Sequence, residues 1–139
     1  MIDIKTGSII FDKGITINQN SDFDSVYQMK LGEIQEVNDM GNGWKWLRIK
    51  NISISGRFFV MSFAFKYLTI KELSFIMSEE KFDLNSNSNW NENGEFENLK
   101  KYQDWLNKEI GDDREFDWGE IWAEYDSKGG CSSIRLRYI

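Results

Sequence analysis

The chain has 139 residues, with 23 acids against 17 bases, no histidine, no proline and one cysteine. That length suits a single domain spanning 1–139. At 40% hydrophobic and 15% aromatic residues, it carries enough core formers to fold without disulfide or metal staples. The missing histidines exclude a Ser-His-Asp or Cys-His nucleophile pair and any histidine-ligated metal. One cysteine excludes an intramolecular disulfide, a CxxC redox pair and an all-cysteine zinc site.

In chain order, Ile2 to Ile4 and Ser8 to Phe11 read as short strands around a Thr6-Gly7 turn, and Ile15 to Ile17 alternates briefly. Ser21 is placed as a helix N-cap, with Asp24 three residues on. Phe23, Val26 and Tyr27 form an apolar stripe at helical spacing, so a short helix is predicted over 22–31 with Gly32 as its stop. Ile34 to Val37 is a candidate strand.

Gly41-Asn42-Gly43 is a turn signal before Trp44 to Ile54, which is rich in aromatic and branched residues. Leu47 and Ile49 share one parity and Ile52 and Ile54 the other, so a β-bulge or a break is predicted at Asn51. After a Ser55-Gly56 turn, Phe59, Met61, Phe63 and Phe65 alternate, and Phe58, Val60 and Ala64 make the other face apolar too. That strand is expected to be central and covered on both sides. Leu68 to Met77 continues an antiparallel meander.

A second helix is predicted over 91–110 from Phe96, Leu99, Gln103, Leu106 and Ile110, closed by Gly111. An acidic loop over 112–117 follows. The last elements are Trp118 to Tyr125 and Cys131 to Tyr138, a hairpin around a glycine-rich turn. Trp105, Trp118 and Trp122 are assigned to the core, Trp44 and Trp90 to a contact surface. The predicted class is α+β: an antiparallel sheet of about six or seven strands with two helices packed on one face.

Residues 1 to 7 lack the basic and apolar regions of a secretory signal. No stretch reaches the ~18 apolar residues of a membrane span. Cys131 suits a reducing interior, so a cytoplasmic location without membrane attachment is expected.

Charge is unevenly spread. Residues 1–70 hold 8 bases and 7 acids, whereas residues 72–126 hold 16 acids and 5 bases, a net -11. An acidic field repels phosphate, which argues against nucleic-acid binding and reads Trp44-Lys45-Trp46 and Arg48 as strand pleat. The same field attracts a basic protein.

Catalytic signatures are sparse. Carboxylate pairs suit glycosidase-type chemistry, but no motif singles one out. Asp113, Glu115, Asp117 and Glu124 fall at positions 1, 3, 5 and 12 of an EF-hand loop, yet Trp118 stands where that loop requires glycine. No phosphate-loop motif is present, and no cofactor or metal is expected.

Asp104-Trp105-Leu106, Trp118-Gly119-Glu120-Ile121, Tyr125 to Gly130 and Ile134 to Tyr138 together resemble a group of small bacterial proteins. Their shared features are a tryptophan-glycine strand entry, a Tyr-Asp-x-Lys-Gly turn and a closing alternating strand. In size, acidity and lack of catalytic residues, the chain is also similar in type to immunity proteins of bacterial toxin–immunity pairs, including contact-dependent growth inhibition systems. That likeness implies a non-enzymatic inhibitor of a basic toxin domain, such as a nuclease. The expected partner-binding residues are Glu79, Glu80, Asp83, Asp112, Asp113, Glu115 and Asp117, with Trp90 as an aromatic anchor. The alternatives are a structural or adaptor domain, and a carboxylate-based enzyme or small-ligand binder.

Overall fold

The computed structural model describes residues 1–83, 92–126 and 130–139, and in the second helix the side chains from residue 97 onward. The N-terminal segment makes a two-stranded pair, β1 (Ile9–Ile10) and β2 (Thr16–Ile17), joined through a turn of 3-10 helix at Asp12–Gly14. Then come α1 (Phe23–Gln28), β3 (Ile34–Asp39), β4 (Trp44–Ile54), β5 (Arg57–Lys66) and β6 (Thr69–Ser78). The chain closes with α2 (Glu92–Ile110), β7 (Glu115–Phe116), β8 (Gly119–Asp126) and β9 (Cys131–Tyr138). The main sheet has seven antiparallel strands in the order β3-β4-β5-β6-β9-β8-β7. The fold class is α+β, as predicted.

Both helices lie against the same face of this sheet. The Phe23 ring of α1 meets Phe65 edge-on at 5.4 Å, and Trp105 of α2 meets Phe75 edge-on at 5.9 Å. Phe65 and Phe75 share the core parity of their strands with Met61, Phe63 and Leu73. A six-residue helix is unstable alone. Burial of Phe23 and Val26, at about 1.5–3 kcal/mol each, holds α1 in place. No helix among the described residues is long and apolar enough to cross a membrane.

The bulge falls where the parity switches. Between Ile49 and Ile52 the register with β5 shifts, and Asn51 takes φ 58°. The extra residue lets Leu47, Ile49, Ile52 and Ile54 all reach the core. Asn51 is itself buried. Its amide donates to the Phe82 carbonyl (2.9 Å) and to Glu33 Oε2 (3.2 Å), while its oxygen accepts from the Phe82 N–H (2.8 Å). Asparagine suits the site because it tolerates the left-handed region and offers both donor and acceptor.

Several expectations need correction. Asp22, not Ser21, caps α1: its carboxylate accepts from Ser25 N at 2.8 Å, whereas Ser21 Oγ accepts from Asn18 N. Two cap-competent residues stood side by side, and the one with extended backbone at the helix entry won. The helix ends at Gln28 because Lys30 takes the left-handed position at φ 50°. Gly32 instead passes close against the Lys50 carbonyl, where a β-carbon would lie 2.3 Å from the oxygen.

Leu68, expected to open a strand, belongs to a turn, and β6 begins at Thr69. Trp122 is not in the core: it sits across from Arg135 on the face without helices. β5 is an interior strand, paired with β4 and β6, and Val60 and Ala64 are buried on its second face although no helix covers it. The acidic loop holds a further strand, β7.

Candidate functional site

Four exposed carboxylates sit on one corner, where α2 ends and β7 joins the sheet edge. Gly111, at φ 80°, closes α2 and bonds back to the Asn107 carbonyl. Arg114 then folds onto the helix end. Its guanidinium donates to the Gly111 carbonyl (2.6 Å), the Asp113 carbonyl (2.9 Å) and Asn107 Oδ1 (2.5 Å). A cation here answers the partial negative charge of the helix C-terminus. The one base of the segment is thus turned inward, and Asp112, Asp113, Glu115 and Asp117 are left exposed. None of these four is in an ion pair with another described residue.

The corner is held rigidly from beneath. Trp118 is buried, stacks on Phe116 (5.1 Å between ring centres, 5° between planes) and donates from Nε1 to the Ile4 carbonyl at 2.8 Å. The Tyr138 hydroxyl donates to the Gly7 carbonyl at 2.7 Å, and burial pushes its pKa up. Ile121 N bonds to the Arg114 carbonyl and Ile139 N to the Trp118 carbonyl. A hollow of about 420 Å³ beside the corner is lined by Lys5, Thr6, Asn18, Asn20, Asp117 and Trp118.

The other predicted acids lie elsewhere. Glu79 and Glu80 follow the end of β6, and Asp83 comes next in the loop; all three are exposed. Glu72, Arg137, Glu120 and Glu115 mark one cross-strand row at the corner's end of the sheet. Glu79 is seven residues on from Glu72, just past the end of β6, so it lies about 23 Å from that row along the strand direction. Topology therefore divides the acidic segment into two groups. Glu79 and Glu80 also share a cleft of about 600 Å³ with Arg57, Lys101 and Lys108 as well as Asp104, so its charge is balanced. Trp90 lies outside the described residues.

On the face without helices, acids and bases neutralise one another. Arg135 contacts Glu124 at 2.9 Å and Glu72 at 3.7 Å; Arg137 contacts Glu72 at 3.5 Å and Glu120 at 3.7 Å. Bonds from Trp122 and Arg135 hold the Glu124 carboxyl below its usual pKa. That direction opposes a general-acid role, which needs a raised value. The Trp44-Lys45-Trp46 stretch is split by the pleat: Lys45 reaches over the Phe23 ring on the helix side, while Trp46 and Arg48 face the other way.

A feature the sequence reading missed is the turn between β5 and β6. Tyr67 is 75% exposed and Leu68 46% exposed, at the same end of the sheet as the acidic corner. No glycine or asparagine marks it, so only the antiparallel pairing of its flanks could have placed it.

Comparison with family models, curated proteins and solved structures finds no match.

Proposed function

We propose that the protein is an inhibitor of the immunity type, which binds a basic toxin domain and blocks its active site without catalysing a reaction. The observation that carries this is the rigid corner at 112–117: four exposed carboxylates outside any described ion pair, with the neighbouring Arg114 engaged by backbone. A nuclease must hold phosphate with lysines and arginines, and carboxylates occupy such a surface through charge-assisted hydrogen bonds. The corner's field also speeds encounter with a basic partner. Glu79, Glu80 and Asp83 form a separate exposed group beyond the end of β6, and the first two share a cleft whose charge is balanced.

The variant Asp112→Asn, Asp113→Asn, Glu115→Gln, Asp117→Asn tests the reading. All four side chains are exposed, so the fold should persist. Association with the partner is expected to slow about 10-fold or more at low salt. A structural or adaptor role would treat these carboxylates as solubility charge, and neutralising them would leave association unchanged.

A further inference from the structure

We infer that the Tyr67–Leu68 turn is the apolar anchor of the same interface, inserting into a pocket beside the basic patch of the partner that the acidic corner captures. This rests on the proposed function for the partner's charge, but on separate observations for the anchor.

The first observation is backbone strain. Tyr67 has φ 49° and Leu68 φ 70°, so both central residues of this two-residue hairpin are left-handed. Such turns favour Asn-Gly, and bulky residues there are true outliers. The hairpin between β4 and β5, at the other end, makes the equivalent turn with Ser55 and Gly56 at φ 50° and 81°. The fold therefore has an inexpensive solution and does not use it at 67–68. Strain kept at an exposed site points to a role outside folding.

The second observation is orientation. The Tyr67 ring lies over Gly43, where a β-carbon would come within 2.6 Å of it, and Tyr67 N bonds to the Gly43 carbonyl at 2.8 Å. The Leu68 carbonyl accepts from Phe23 N at 3.1 Å. An exposed tyrosine already fixed in place loses little entropy on binding, as interface hot spots require. Met40, 53% exposed, lies in the neighbouring turn.

The third observation is placement. The turn opens β6, and the row Glu72–Arg137–Glu120–Glu115 runs from β6 to β7. Three strand spacings, roughly 15 Å across, and the four residues from Leu68 to Glu72, about 13 Å along the strand, put the anchor about 20 Å from Glu115. A standard interface covers about 800 Å² per partner, roughly 30 Å across, so one docked domain spans both. Lys66, next to the turn, keeps its positive charge, with its ammonium over the Trp44 ring at 5.6 Å and near the Tyr67 ring at 5.9 Å.

The test uses the full chain with benzoylphenylalanine at position 68, at position 117, or at position 55 on the opposite end, photolysed in the native cell. One protein is expected at 68 and 117 and not at 55. That protein, purified, is then the probe for Tyr67→Asn/Leu68→Gly, which supplies a relaxed turn and so should melt no lower than the parent. Its affinity is expected to fall about 10- to 100-fold with the salt dependence retained. Unchanged affinity, cross-linking at 117 without 68, or cross-linking at 68 to a second copy of this chain overturns the anchor and leaves the acidic corner standing. Lost affinity with no salt dependence in either protein keeps the anchor and overturns the basic partner.

Discussion

Replacing Asn51 should separate the two things the bulge needs, a left-handed residue and a polar clasp. The side chain makes three hydrogen bonds, to both backbone groups of Phe82 and to Glu33. At about 0.5–1.5 kcal/mol each, their loss in Asn51→Gly is expected to cost about 2–4 kcal/mol. Asn51→Ala loses the same bonds and must also hold φ 58°, which adds about 1 kcal/mol. Urea denaturation followed by tryptophan fluorescence reads both numbers as midpoint shifts at constant slope. Equal losses for the two variants, or a loss below about 1 kcal/mol in either, would refute this account of the bulge.

Three further outcomes are expected. Leu106 is fully buried at the helix–sheet contact, so Leu106→Ala should cost about 2–5 kcal/mol in the same assay, and a loss under about 1 kcal/mol would contradict that packing. Trp118→Phe removes the bond to the Ile4 carbonyl and part of the stack on Phe116; it should destabilise by about 1–3 kcal/mol and raise proteolysis of the first eight residues before global unfolding. Glu33 and Glu124 both have lowered pKa values, the first through Lys81 and Asn51, the second through Trp122 and Arg135. A lowered folded value gives stability that is present above the ordinary glutamate pKa of about 4.3 and lost as pH falls below it. Stability measured from pH 6 down to about 3 should therefore decline, and Glu124→Gln should decline less steeply; parallel curves would count against the Glu124 contribution.

What could be read from the sequence follows from period. Strands β4, β5 and β9 were legible because their core residues alternate at period two, and the bulge because Asn51 interrupts that alternation. The second helix was legible because its apolar residues step by three and four. The cap of α1 was misplaced by one residue because Ser21 and Asp22 are equally competent by type. The site was less legible, since charge proximity along a chain is not proximity in space. The strand order carries residues 79–83 and 112–117 apart, and that order depends on β9 pairing with β6 across 59 to 65 residues. The Tyr67–Leu68 turn was hidden for the opposite reason: it breaks the turn-residue rule that sequence reading relies on.

The most direct test of the central claim is the association rate with the protein cross-linked through position 117, measured from about 0.05 M to about 0.5 M salt. Capture by the corner requires the rate to fall steeply with salt, and to fall far less once Asp112, Asp113, Glu115 and Asp117 are neutralised. A tight complex whose association rate is the same at every ionic strength, in both proteins, would contradict it.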